Sequence, residues 1–254
     1  GADMNVSGAI VAGYSGQGVV IGVVDTGLEI AHEDLVDNVV PGSFDFVERD
    51  SDPTRKGSGS DHGTAVAGIA AARGWNGIGP RGVAPKVSLK GYNWLIRQST
   101  ANWISTFGGE SYSEDVDIFN NSWGSAPQRI DDRLKDMEEV TFNETLPAMR
   151  GGRGAIFVKS SGNNFNAGST GLCGIDNGDG GLSCRDVNQD STHNNPNIIV
   201  VGALNADGTR ASYSTIGSAI WVSAPGGENG SSDVGGKPAI MTTDVQSCTK
   251  GYVG

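Results

Sequence analysis

The sequence predicts a three-layer α/β/α domain built on a mostly parallel sheet. Three observations carry that expectation. The run Val19-Val20-Ile21-Gly22-Val23-Val24 is β-branched and does not alternate, the pattern of a strand covered on both faces. Similar short runs recur along the chain and are separated by stretches with helical spacing, so strands and helices alternate. Ala and Gly crowd residues 63–72, where small side chains favour a helix lying close against neighbouring backbone.

The elements follow in order. Residues 6–14 read as a helix with Val6, Ile10, Val11 and Tyr14 on one face, and Ser15-Gly16-Gln17-Gly18 turns the chain. The strand at 19–24 ends in Asp25-Thr26-Gly27, an acid at the carboxyl end of a central strand, the edge where α/β sheets collect ligands and catalytic groups. Carboxylates crowd residues 32–53, and Gly57-Ser58-Gly59-Ser60 leads into a helix with His62 at its front. An imidazole on a helix's first turn is held rigidly, and histidine titrates near neutral pH without help. A Gly-rich turn at 74–80, a strand at 86–90 and a helix within 93–111 come next, then a strand at 116–122 closing in Trp123-Gly124. Between 131 and 150, Leu134, Met137, Val140 or Thr141, Leu146 and Met149 recur at helical spacing, and Gly151-Gly152 stops that helix. A strand at 154–159 runs into Ser160-Ser161-Gly162-Asn163-Asn164; further strands are expected at 197–202 and 218–223, and a last one begins at 238–243.

Composition narrows the function classes. Gly makes up 40 of 254 residues and hydrophobic residues 37%, a globular, loop-rich balance sized for one domain. A net charge of −11 argues against nucleic acid or anionic membrane as partner. No apolar run approaches the ~20 residues that span a bilayer. Gly1-Ala2-Asp3-Met4-Asn5 is neither an initiator methionine nor a signal peptide, as expected of an internal piece of a longer precursor. Cys173 and Cys184 bracket the loop 174–183 and are candidates for a disulfide in an oxidising compartment; Cys248 has no evident partner, and a free thiol and a cut fragment both remain open.

Asp25-Thr26-Gly27, His62-Gly63-Thr64, Ser122-Trp123-Gly124 and Ser161-Gly162-Asn163 occur in an order that resembles the subtilisin-like serine proteases, or subtilases, over essentially the whole chain. Asn5-Val6-Ser7-Gly8, His32-Glu33-Asp34-Leu35 and Thr242-Thr243-Asp244 followed by Cys248 resemble the kexin/furin-like branch. The chemistry agrees: a serine hydroxyl is a poor nucleophile until an imidazole takes its proton, and a carboxylate must fix that imidazole's tautomer. The resemblance implies a serine endopeptidase with Asp25 as the orienting acid, His62 as the general base and Asn163 as the side-chain donor to the oxyanion. Ser122, Trp123 and Gly124 with Ser161 and Gly162 would flank an extended polypeptide substrate, and Asp190 resembles a carboxylate of the pocket for Lys or Arg before the scissile bond. Thr26 stands where that branch has a second Asp, Ser125-Ala126-Pro127-Gln128 where it has paired acids, and the turn after the histidine helix has no Cys; a selectivity broader than strict dibasic processing follows.

The family's nucleophile lies in a Gly-Thr-Ser motif, and none occurs in these 254 residues. The expectation is that the chain stops just before that motif and is inactive by itself. Two places resemble the family's structural calcium sites: Asp34 with Asn76 and carbonyls near Arg73 and Ile78, with Asp3 as a further ligand, and Asp45, Asp50 and Asp52, expected to converge on one point. His32 and His193 read as surface residues. The resemblance further implies a secreted or periplasmic monomer that meets a propeptide or inhibitor. A different class stays open, a degenerate module that grips peptide or calcium without cleaving; Asp25, His62 and Asn163 together favour the enzyme.

Overall fold

A computed structural model describes residues 4–56, 62–124, 132–165, 186–228 and 240–246. Among them are six strands, β1 Val20–Val24, β2 Ser88–Tyr92, β3 Ile118–Asn121, β4 Ile156–Ser160, β5 Ile198–Leu204 and β6 Val222–Pro225, in the sheet order β2-β1-β3-β4-β5-β6. The pairs β1–β2, β1–β3 and β5–β6 are parallel. The chain divides into two compact units, and the division falls inside β4.

The larger unit comprises Val6–Ser122, Glu139–Phe157 and Met241–Gly254. Its three layers follow from the alternation of side chains along a strand. On one face of β1 and β3, Ile21, Val23 and Ile118 pack with Leu89 of β2 against Ala67 and Ala71 of helix α2, His62–Ala71. Phe119, the next residue of β3, points the opposite way. There its ring lies 5.1 Å from Phe107, which also meets Trp103 at 4.5 Å and Phe157 at 5.2 Å. Trp103 belongs to helix α3, Thr100–Ile104, whose N-cap Ser99 accepts the Asn102 N–H.

Several elements differ from the sequence expectation, each for a physical reason. β2 lies two residues later than 86–90, because the Lys86 and Val87 N–H groups are spent closing a turn onto Ser15 and Ala84. The helical stretch 131–150 runs as helix α4, Asp132–Val140, a widened π-turn at Thr141–Thr145, and helix α5, Leu146–Gly152, with helical backbone at both joins; it leaves helical geometry at Met149–Gly151. Pro147 has no N–H to give one turn back, which leaves one rung of the ladder unmade beside the widened turn. The short first helix α1, Ser7–Val11, buries no residue, and Val11 and Tyr14 are exposed. Residues 240–243 form no strand; the Thr242 and Thr243 hydroxyls instead donate to the carbonyls of Ala65 and Thr64 on α2. Gly68 permits this approach, since a Cβ there would sit 2.2 Å from Thr243 Oγ1.

The smaller unit comprises Gly1–Asn5, Trp123–Glu138 and Val158–Ile240. Its core lies along β5, where Ile198 and Val200 are buried. The end of β4 is joined to β5 by the Ser161 N–H donating to Val201 O. Cys173, Cys184, Cys248 and Asp3, and with them the expected disulfide, lie outside the described residues.

Candidate active site

β1 delivers Asp25 to the carboxyl end of the strand, where the carboxylate is 1% exposed. One oxygen accepts the following Thr26 N–H at 2.7 Å. Helix α2 opens with His62, whose Nδ1 stands 3.0 and 2.9 Å from the two Asp25 oxygens. The carboxylate therefore fixes Nδ1 as the protonated nitrogen and leaves Nε2 as the acceptor. The side chain of His62 keeps 38% of its surface open. Its pKa is raised, first by the hydrogen bond to Asp25, against an opposing effect of burial.

The two residues after the histidine explain how the helix meets the strand. A Cβ on Gly63 would lie 1.9 Å from the Gly27 carbonyl and 2.9 Å from Asp25 Cβ, so only glycine lets α2 start this close. The Thr64 hydroxyl accepts the Glu29 N–H at 3.0 Å and pins the loop that leaves Asp25. Gly63 and Thr64 thus position the pair although neither carries chemistry, roles the sequence reading left unassigned.

In the smaller unit the Ser161-Gly162-Asn163 turn is held by Thr215, whose N–H donates to Gly162 O and whose hydroxyl accepts the Asn164 N–H. Gly162 has φ of 91°, the region that favours glycine, and Asn163 projects with its surface exposed. The Ser122 hydroxyl accepts from Asn120 at 2.9 Å. The Trp123 carbonyl accepts Lys159 Nζ at 2.8 Å and the Ser160 hydroxyl at 3.4 Å, so this segment runs beside the end of β4; Gly124 is exposed. Asp190 caps the short turn Ser191–Asn194 by accepting the Thr192 N–H. Its charge, with that of Glu138, acts on buried Lys159, whose pKa burial nevertheless lowers to about 8.

Asp34 is buried, and its Oδ1 accepts from Asn76 at 2.7 Å while its Oδ2 has no hydrogen-bond partner. Gly79 leaves the space around that oxygen clear, since a Cβ would stand 2.5 Å from it. An orphaned buried carboxylate oxygen suits a hard cation, while Asn76 turns its amide N–H to Asp34 and its oxygen accepts the Ile78 N–H. Asp45, Asp50 and Asp52 do not gather as expected. No group of three or more His, Cys, Asp or Glu side chains is placed to hold a metal among the described residues. Each of these aspartates instead accepts an N–H two residues on, and Lys56 pairs with Glu48 and feels the charges of Asp50 and Asp52. These residues do not fit a shared calcium site. His32 and His193 are both buried, not on the surface. His32 Nδ1 accepts the Asp34 N–H, while His193 Nδ1 lies 3.0 Å from Val187 O and burial lowers its pKa.

A parallel-stranded α/β chain with an aspartate-held imidazole at a strand's carboxyl end fits the subtilisin-like class, and comparison with known proteins places it there. The chain belongs to the subtilase family, Peptidase_S8, matched over residues 16–254. It is 40% identical over 264 residues to the Aeromonas extracellular serine protease of Aeromonas sobria, covering 99% of this chain and 40% of that protein. Human furin is 30% identical over 261 residues, covering 99% of this chain and 30% of furin. The crystal structure of the Aeromonas sobria serine protease with its chaperone superposes with a TM-score of 0.78 at 38% identity, over 94% of this chain and 40% of that one. The chain thus spans well under half the length of these relatives.

Proposed function

We propose that the intact protein is a serine endopeptidase working through an Asp-His-Ser triad. The observation that carries this reading is the Asp25–His62 pair, in which both carboxylate oxygens hold Nδ1 while the ring stays open to solvent. His62 Nε2 takes the proton of a serine hydroxyl as that oxygen attacks the peptide carbonyl, then returns it to the leaving amine. The Asn163 side chain donates to the oxyanion. The serine is expected in a Gly-Thr-Ser motif, which these 254 residues lack, so by themselves they do not hydrolyse peptides. In the intact protein, a fluorophosphonate should label one serine and abolish cleavage of an extended peptide, and His62→Ala should abolish both. Tight peptide binding without labelling or cleavage would point instead to a non-hydrolytic module.

Selectivity for Lys or Arg before the scissile bond is proposed to involve Asp190. Asp190→Asn should then lower kcat/KM for such substrates by about 10²-fold, the scale set by an unpaired charge, and much less for Leu or Phe. Equal losses on both kinds of substrate would remove Asp190 from the pocket. Calcium is proposed as a structural ion at Asp34 and Asn76, where it would tie the turn after α2 to the loop before it. Chelation should lower the melting temperature of the wild type and leave Asp34→Asn unmoved; an equal shift in both would remove this site. A secreted location, and a folding partner or inhibitor, are proposed from the extracellular Aeromonas protease and from its relative solved with a chaperone.

A further inference from the structure

Lysine is almost never buried unless its charge is matched. Lys159 is 1% exposed, the fourth residue of β4, on the same strand face as buried Phe157. Its ammonium donates to the Trp123 carbonyl at 2.8 Å and sits 4.0 Å from the centre of the Trp123 ring, a cation–π distance. Asp190 and Glu138 are the carboxylates that balance it, and buried His193 stands beside Asp190, Nε2 to Oδ2, at 3.9 Å. A methionine would fill this space without the cost of desolvating a charge, so stability alone does not account for a lysine here.

What the ammonium holds is one peptide plane. In a trans peptide the carbonyl and the following N–H point in opposite directions. Drawing the Trp123 carbonyl toward Lys159 therefore turns the Gly124 N–H the other way, at an exposed residue where no Cβ crowds the approach. Extended peptides bind beside such segments through main-chain hydrogen bonds. We propose that Lys159 is a positioning residue: it grips the carbonyl and ring of Trp123 and so aims the Gly124 N–H at the backbone of an extended substrate. The proposal rests on the endopeptidase reading.

The test compares Lys159→Met with wild type in the intact protein, on a peptide extending several residues before a scissile bond that follows Leu, so that the Asp190 charge is not read, and on p-nitrophenyl acetate. The variant should raise the peptide KM by about tenfold, the effect of one well-placed hydrogen bond, with kcat and ester hydrolysis within about twofold. An unchanged peptide KM, or equal loss on peptide and ester, overturns the proposal. Should the variant fail to fold, the wild-type pH profile decides. The Lys159 charge is lost as pH rises through about 8, so the peptide KM should climb there while the ester KM stays flat. A flat peptide profile overturns the proposal just as well. A wild type that turns over the ester but never the peptide removes the endopeptidase reading itself, a result distinct from either.

Discussion

Asp25 with His62, in the larger unit, and Asp190 with Glu138 and Lys159, in the smaller, each set carboxylates near a base at the end of a strand. The first grouping bonds the base directly and leaves the ring's far side open, so the hydrogen bond outweighs burial and the imidazole's pKa rises. The second seals its base completely and spends the ammonium's donor on a carbonyl, so burial outweighs the carboxylates and the pKa falls. Carboxylates beside a base thus suit proton transfer when one side stays wet and a fixed tether when none does. Geometry and access set the direction of the pKa shift in each.

The sharpest way to break the first half is Asp25→Asn in the intact protein. It should cost about 10⁴-fold in kcat, because the imidazole loses the partner that fixes its tautomer. A loss below tenfold would leave the pair without a catalytic role. Asn163→Ala should come next, with kcat lower by about 10²–10³-fold and KM little changed, as for loss of one oxyanion donor. A third variant attacks the helix that holds His62. Gly68→Ala would push a Cβ into Thr243, and chemical denaturation should register a loss of about 1–3 kcal/mol. Wild-type stability there would mean that the 240s segment yields freely.

Two smaller effects depend on pH and sharpen the contrast. The His62 pKa is raised, so the acid limb of kcat/KM should lie above 6.5, and Asp25→Asn should bring it down. Folding favours the protonated imidazole; the stability it adds is full below 6.5 and is lost as pH rises through the folded-state value. Lys159 runs the other way. Its folded-state pKa of about 8 lies below the 10.5 of the unfolded chain, which therefore binds more protons between those values. Stability from this residue should rise across that interval and should be absent from Lys159→Met in paired denaturation curves at pH 8 and 10.5.

Much of this was legible in the sequence because local pattern and chemistry agree. The unbroken apolar run of β1 ending in Asp25, and the small-residue helix behind His62, each announce an element and the side chain at its end that the proposed mechanism uses. Lys159 carried a signal that went unread: in Ile156-Phe157-Val158-Lys159 the period of two puts the lysine on the same face as the buried phenylalanine. His32 and His193 sit among polar neighbours, and only tertiary packing buries them. Asp45, Asp50 and Asp52 have the spacing of a cation loop, yet the N–H groups of Val47, Asp52 and Thr54 donate to the carboxylates. Residues 240–243 look like a strand by propensity, and their threonines are drawn off to helix carbonyls.

Those threonines bear on the order in which the protein can be finished. Thr242 and Thr243 reach carbonyls of the histidine helix 177 and 179 residues earlier in the chain. A ribosome adding about 5–20 residues per second makes that helix wait roughly 10–35 s for these two partners. Until they arrive, the backbone that carries His62 is fastened only by its earlier neighbours. The front of the histidine helix therefore gains these two bonds only after the intervening stretch of nascent chain has been made.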